Sequence, residues 1–133
     1  MTRKNRSERF ARSAAGHRRG PLDDWDAPVA PRSFLGGDLD GIVERLDHIA
    51  SLSVDALYLT PIFSAPSNHK YDTADYFNVD ADFGGNEALR RLMTALRERG
   101  VRLILDGVFN HSGAQWPPFV EAQRDGPGSR YAS

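Results

Sequence analysis

Two continuous apolar runs constrain the fold of this chain more than any other feature. The first, VDALYLTPIF, reads as a buried strand that ends near Thr60, because Pro61 cuts it off. The second run extends from Val101 to Phe109. Neither run alternates apolar with polar residues, which is typical of strands that are buried on both faces of a parallel sheet.

Two segments with helical periodicity accompany these strands. Before the first strand, Asp38 can cap a helix whose apolar face is spaced at helical intervals. Before the second strand, Asn86 is a predicted N-cap and Gly100 a predicted left-handed C-terminal residue. The two apolar faces are Leu39, Ile42, Val43, Leu46, Ile49 and Ala50 for the first helix, and Leu89, Leu92, Met93 and Leu96 for the second.

The order of these elements is helix, strand, long loop, helix, strand, which predicts a parallel α/β fold. We divide the chain into a loop region at 1–37, an α/β unit at 38–112 and a loop-rich segment at 113–133. We interpret residues 64–84 as one long connection and expect a short helix around 119–122. The 133 residues suit one small domain or part of a larger one.

The distribution of charge and the absence of cysteine exclude several function classes. Residues 1–20 carry seven basic residues and one acidic residue. Aromatic residues do not alternate with these basic ones, so we expect a solvated, poorly ordered start rather than a nucleic-acid-binding arm. A chain without cysteine has no disulfide, thiol nucleophile or thiolate metal site.

No apolar run approaches the roughly 20 residues of a membrane-spanning helix, and no signal-peptide core follows the basic start. We therefore predict a soluble, cytoplasmic protein without a membrane partner. The sequence also lacks the zinc-protease, EF-hand and phosphate-loop motifs, and we predict no cofactor and no metal.

Polar side chains cluster where the second apolar run ends. Asp106, Asn110 and His111 lie at the carboxyl end of the predicted strand, which is where parallel α/β folds gather functional groups. Each residue alone is well explained by turn structure. Three such groups at one strand end, however, all need hydrogen-bond partners or a ligand.

The long connection after the first strand adds polar and aromatic residues at the same edge of the sheet. An aromatic ring can stack on a pyranose while carboxylates and imidazoles bind its hydroxyl groups, so the combination suits a sugar; packing against the sheet rim is the alternative for the tyrosines. Paired carboxylates hydrolyse glycosidic bonds, but loop spacing alone does not define their geometry. These residues are His69, Lys70, Tyr71, Asp72, Asp75 and Tyr76.

The segments GGDLDGIVERLDHI, SAPSNHKYDTADYF and DGVFNH together resemble the α-amylase family, glycoside hydrolase family 13. The resemblance extends from about Glu8 to Tyr131 and is strongest to the neopullulanase, cyclomaltodextrinase and maltogenic amylase group. It implies a partial (β/α)8 TIM barrel, from the tail of strand one to strand three. It also implies retaining hydrolysis of α-glucans such as starch oligosaccharides, cyclodextrins and pullulan.

The family's D-x-x-x-N-H motif matches the end of the second apolar run. By that match His111 would contact the sugar next to the scissile bond, Tyr71 would stack under the same sugar, and Asp106 would hold an arginine from strand four. The resemblance thus implies that Tyr71, His111 and His69 bind substrate and that Asp106, Asn110 and Asp72 support the site.

The resemblance also has implications for activity. The family's nucleophile, general acid and third carboxylate belong to strands four, five and seven, and their motifs are not found in this sequence. We therefore expect a fragment that is inactive alone. The alternatives are a split-barrel protein that needs a partner chain and a glucan-binding module without catalysis.

Two local departures from the family pattern concern calcium and backbone strain. The loop that binds calcium in relatives reads RSAAGHRRG here, and only Gly36 and Asp38 remain of its ligands. Ser53 replaces the glycine that is usual before strand two, where a left-handed conformation is favoured. Such a conformation would cost a serine about 1 kcal/mol.

Overall fold

A computed structural model of the chain describes residues 23–24, 26–30 and 33–132. The basic start, which is predicted to be poorly ordered, and the segment RSAAGHRRG lie outside these residues. The helices are α1 (Leu39–Glu44), α2 (Leu46–Ser51), α3 (Gly85–Glu98) and α4 (Pro117–Asp125), and the strands are β1 (Ala56–Leu59), β2 (Phe63–Ser64), β3 (Asp75–Val79) and β4 (Arg102–Leu105). Short 3-10 turns span Ala81–Phe83 and Gly126–Gly128.

The predicted parallel strand pair is confirmed. β1 and β4 run parallel, with Ala56 opposite Arg102 and Leu59 opposite Leu105. The second strand is shorter than predicted: after Leu105 the chain leaves the sheet, although the Asp106 N–H still donates to the Leu59 carbonyl at 3.0 Å. The carboxyl ends of both strands therefore lie side by side.

The prediction that these strands are buried on both faces is wrong for the described residues. Leu57 and Leu103 pack on the hydrophobic core beneath the helices. On the opposite face Tyr58 is 56% exposed and Ile104 is 49% exposed. The two apolar runs thus form a sheet with one face covered by the described helices and one open face.

The hydrophobic core lies between that covered face and helices α1, α2 and α3. Each fully buried leucine there contributes about 1.5–3 kcal/mol through the hydrophobic effect. Instead of one helix over 39–50, the chain forms α1 and α2, separated at Arg45 (φ −105°, ψ 6°). The best-buried core side chains are Leu39, Leu46, Ala88, Leu92 and Leu96.

Helix α3 ends as predicted but begins differently. Gly100 has φ +69°, the left-handed conformation expected after the helix. The N-cap is Gly84 (φ +91°) rather than Asn86. The Asn86 side chain instead accepts a hydrogen bond from the Val79 N–H at 2.8 Å and donates to Asn78 Oδ1 at 3.0 Å. Asn86 therefore fastens the helix to β3, which the prediction of a cap did not foresee.

The interpretation of 64–84 as one loop is wrong, because this segment folds into a hairpin. β2 and β3 pair antiparallel with an irregular register, with Phe63 opposite Val79 and Ser64 opposite Asp75. A strand of two residues is too short to leave a periodic signal in the sequence. The hairpin places the segment between β2 and β3 above the carboxyl ends of β1 and β4, as its hydrogen bonds to the loop after β4 show.

The predicted left-handed conformation of Ser53 is confirmed, since Ser53 has φ +57°. We expect Ser53→Gly to stabilise the chain by up to about 1 kcal/mol, because glycine adopts this conformation without steric cost. Urea denaturation followed by circular dichroism measures the change. Ser51→Gly, at the end of α2, is the matched control and should not stabilise. Equal stability of the Ser53→Gly variant and the unmodified chain would contradict the prediction.

None of the four described helices has the length and hydrophobicity that a membrane crossing requires.

Candidate functional site

One carboxylate oxygen at the end of β4 joins two tyrosines from different segments. Tyr58, in β1, donates its hydroxyl to Asp106 Oδ2 at 2.8 Å. Tyr71, from the segment between β2 and β3, donates to the same oxygen at 3.3 Å. The sequence places Tyr71 and Asp106 in one site, and the structure brings them into contact. Tyr58 is not among the predicted site residues, because it lies in the middle of a strand that the sequence predicts to be buried on both faces.

These contacts raise the pKa values of both phenols. The pKa of Tyr58 rises because its hydrogen bond to Asp106 favours the neutral phenol, with further contributions from burial and from the charge of Asp106. The pKa of Tyr71 rises first because the protein partly desolvates this still exposed residue, and then through the charge of Asp106 and the hydrogen bond to it. Both tyrosines are therefore neutral hydrogen-bond donors at neutral pH, and both are oriented by one carboxylate.

His111 lies against the backbone of Tyr71. Its Nε2 is 3.0 Å from the Tyr71 carbonyl oxygen, and because a carbonyl only accepts hydrogen bonds, this contact requires a proton on Nε2. The Asn110 side-chain amide nitrogen lies 3.5 Å from His111 Nδ1, where it can donate to the unprotonated nitrogen. Tyr71 and His111, forty positions apart in the sequence, thus share one edge of the sheet.

His69 and Asp72 flank Tyr71 and interact mainly with their own segment. The His69 and Tyr71 ring centroids are 6.0 Å apart, and the Tyr71 N–H donates to His69 Nδ1 at 3.2 Å. Asp72 Oδ1 accepts a hydrogen bond from the Ser67 hydroxyl. His69 therefore borders the exposed tyrosine ring, whereas the contact of Asp72 stabilises the turn.

Two other polar residues of this segment have structural contacts. The Asp75 carboxylate accepts hydrogen bonds from the Asn78 side chain at 2.7 Å and from the Phe77 N–H at 2.8 Å, and these bonds lower its pKa. Lys70 is buried and forms an ion pair with Asp80. Neither residue joins Tyr71 and His111.

Tyr76 connects the hairpin to the loop after β4. Its hydroxyl lies within hydrogen-bond distance of two carbonyls, that of Val108 at 2.9 Å and that of His111 at 3.0 Å. Its ring stacks on Phe109 and meets Trp116 edge-on, with centroid distances of 6.2 Å and 5.9 Å. Of the two readings of Tyr76, sugar stacking and rim packing, these contacts support packing.

The rings of Tyr76, Phe109 and Trp116 also line an open cavity of about 440 Å³ next to His111. Phe77 and Phe109 are 88% and 86% exposed there. Phe77 and Phe109 are not among the predicted site residues, because an isolated aromatic residue in a loop does not indicate which neighbours it will contact. The cavity is lined by Tyr76, Phe77, Phe109, His111, Ser112 and Trp116.

Of the two residues that could hold calcium, Asp38 has another contact. Asp38 is 6% exposed, and its Oδ1 accepts the Gly41 N–H at 2.8 Å, so it caps α1 as predicted. Gly36 has φ +89° and offers only backbone groups. The part of the chain that the structure describes contains no cluster of three or more metal-ligating side chains.

Similar proteins are known. A cyclomaltodextrinase from a Bacillus species is 46% identical over 125 residues, which cover 93% of this chain and 22% of that protein. The intracellular maltogenic amylase of Bacillus subtilis (strain 168) is 54% identical over 98 residues, 74% of this chain and 17% of that protein. The solved structure of cyclic α-maltosyl-(1→6)-maltose hydrolase from Arthrobacter globiformis in complex with maltose matches with a TM-score of 0.84 and 42% identity, over 94% of this chain and 29% of that one.

These matches assign the fold and the family. The chain spans about a fifth of the length of the two curated relatives. Its α/β fold corresponds to part of the TIM barrel of the structural neighbours. The family model of the alpha-amylase catalytic domain matches residues 6–132. The chain therefore belongs to the α-amylase family of glycoside hydrolases.

Proposed function

We propose that this chain forms one wall of the sugar-binding site of an α-amylase-family glycoside hydrolase that acts on α-glucans, including cyclodextrins. The observation that carries the proposal is the contact between the His111 imidazole and the Tyr71 backbone at 3.0 Å. It holds an aromatic ring that is 41% exposed beside an imidazole and a carboxylate. The names of the relatives, a cyclomaltodextrinase and a hydrolase bound to maltose, support the same substrate class.

Each residue has a proposed role that combines its contacts with the match to the family motif. Tyr71 stacks on the apolar face of a glucose ring, and His111 and His69 contact the same ring. Asp106 orients Tyr71 through the hydrogen bond to the phenol. The other two supporting residues act through hydrogen bonds. Asn110 favours the tautomer of His111 that carries its proton on Nε2, and Asp72 stabilises the turn before β3.

We further propose that the catalytic nucleophile and general acid are supplied by strand-four and strand-five motifs that are not part of these 133 residues. A binding wall without these groups stabilises the substrate as much as the transition state and so does not lower the barrier. We therefore expect no hydrolysis of maltotriose or of a cyclodextrin by the purified chain in a reducing-sugar assay. Turnover that persists through repeated purification and co-elutes with the chain would contradict this expectation.

Binding of maltoheptaose tests the proposal itself. A single wall buries only part of a sugar, so we expect a weak dissociation constant of about 1–10 mM, or about −4.1 to −2.7 kcal/mol. Tyr71→Ala should abolish binding measured by calorimetry. Tyr131→Ala is the matched control, because Tyr131 is 44% exposed and lies in the C-terminal segment. A dissociation constant above about 10 mM for the unmodified chain would refute the proposed sugar wall.

The open face of the sheet favours a second candidate function, that of one half of a split barrel which docks on a partner chain. Tyr58 and Ile104 are 56% and 49% exposed on the open face of β1 and β4, and in the described residues each of these strands has one unpaired edge. Size-exclusion chromatography tests this candidate. A monomer with a sharp thermal transition would count against a partner chain.

We also propose that the protein is cytoplasmic. The similar Bacillus subtilis protein is described as intracellular, and the chain has no cysteine. Fractionation of cells that express the chain, followed by immunodetection, tests the location, and recovery outside the cytoplasm would contradict it.

A further inference from the structure

Lys70 lies between the two exposed rings of the proposed sugar wall, yet it is almost fully buried. The residue is 2% exposed, whereas its neighbours His69 and Tyr71 are both exposed. It has φ +63°, and among the described residues Ser53 is the one other non-glycine residue with a positive φ. A lysine in this conformation is strained, and such strain persists only where contacts with the surrounding structure hold the residue in place.

The contacts of the Lys70 side chain hold the residue in this conformation. Its Nζ donates to Asp80 Oδ2 at 2.8 Å and to the Ala65 carbonyl at 3.1 Å, and it lies 3.6 Å from Asp82 Oδ2. The Asp80 side chain is fully buried and also accepts the N–H groups of Ala65 and Asp82. One ion pair thus connects the turn before Tyr71, the end of β2 and the turn after β3.

The backbone of Lys70 is held on both sides as well. Its N–H donates to Ser67 Oγ at 3.1 Å, and its carbonyl accepts the Thr73 hydroxyl at 3.4 Å. The chain therefore directs the lysine inward and, one residue later, directs the Tyr71 side chain outward to Asp106.

We propose that Lys70 is a positioning residue, whose buried ion pair with Asp80 holds the Tyr71 ring against Asp106 and beside His111. The inference rests on the proposed function only in that Tyr71 is the residue that contacts the sugar. The geometric part of the inference concerns Tyr71 and Asp106 and requires no ligand.

An ion pair elsewhere in the fold provides the comparison. Arg91 on α3 binds Asp40 on α1 through two hydrogen bonds, at 2.8 Å and 2.7 Å, and both side chains are partly exposed. This pair joins two helices without touching the segment that carries Tyr71. Its loss should loosen the fold slightly and leave the tyrosine in place.

The test uses tyrosine labelled with ¹³C at Cζ, so that the ionisation of Tyr58 and Tyr71 is followed separately by NMR. The variant combines Lys70→Met with Asp80→Asn, which removes both charges and leaves neither one buried alone. We expect the pKa of Tyr71 to fall toward its ordinary value of 10.0. The pKa of Tyr58, which donates to Asp106 independently of Lys70, should stay raised.

Three further variants make the result decisive. Asp106→Asn should lower the pKa of both tyrosines, and Arg91→Met should change neither. Lys70→Gly combined with Asp80→Asn repeats the test with a residue that adopts φ +63° without strain, and is used if the methionine variant does not fold. The same selective fall of the Tyr71 pKa is expected.

Two outcomes would overturn the inference. The Tyr71 pKa could stay raised in a folded variant, or the pKa values of Tyr58 and Tyr71 could fall together, as general loosening would make them do. Titration of the unmodified chain with maltoheptaose is a separate measurement. Its failure would refute the sugar wall and leave the positioning of Tyr71 by Lys70 to the NMR result.

Discussion

Replacement of Lys70 by methionine should destabilise the chain by about 3–5 kcal/mol, because it leaves a buried charge without its partner. The Asp80 side chain is fully buried beside Lys70 Nζ at 2.8 Å. Burial alone would raise the pKa of Asp80, but the hydrogen bonds from Lys70 and from the N–H groups of Asp82 and Ala65 lower it below the ordinary value. Without Lys70, the carboxylate loses the strongest of the contacts that keep it ionised.

Urea denaturation followed by circular dichroism measures this loss. The double variant Lys70→Met, Asp80→Asn should be destabilised by less than the sum of the two single variants, because it does not leave the Asp80 carboxylate buried without Lys70. Arg91→Met is the control, and because its ion pair is partly exposed we expect a change of at most about 1 kcal/mol. A Lys70→Met variant as stable as this control would show that the buried pair contributes little to the fold.

Gly113→Ala should cost about 3 kcal/mol, the upper part of the range for overpacking. A Cβ at this position would lie 2.2 Å from the Asp72 carbonyl oxygen and 2.8 Å from that of Thr73. Both atoms belong to the backbone and cannot rotate away as a flexible side chain could. The substitution should therefore break the hydrogen bond from the Gly113 N–H to the Thr73 carbonyl, now 2.8 Å, and separate the loop of His111 from the segment of Tyr71.

Gly128→Ala is the matched control, because no heavy atom lies within 4 Å of a Cβ placed there. We expect it to change the free energy of unfolding by at most about 0.5 kcal/mol. Hydrogen exchange of the residue 113 amide distinguishes local separation from global unfolding. Unchanged protection of that amide in the Gly113→Ala variant would contradict the close packing of the two loops.

The sequence predicts the parts of the fold that repeat a regular pattern. Helix α3 combines a continuous apolar face with Gly100, so its end could be predicted, and the two apolar runs predicted the parallel pair β1 and β4. The hairpin was missed because β2 has two residues. The sequence predicts that Asn86 is a cap, because it does not show that the side-chain amide reaches Val79 and Asn78.

The candidate site was predictable at the level of strand ends and of the family motif. The sequence places Tyr71 and His111 at one edge, and the structure brings them together. It does not indicate that Tyr58 points to Asp106, because that depends on which face of the sheet is open. The sequence groups Lys70 with the polar residues of the site, because it does not show that the Lys70 side chain is buried against Asp80, ten positions later.

The central claim is that Tyr71 and His111 together line one sugar-binding wall. NMR signals of both side chains, recorded during titration of the unmodified chain with maltoheptaose, test it most directly. We predict that both signals shift with the same midpoint, while those of Tyr131 stay unchanged. Shifts of the two residues with different midpoints, or of neither residue at saturating sugar, would contradict the claim.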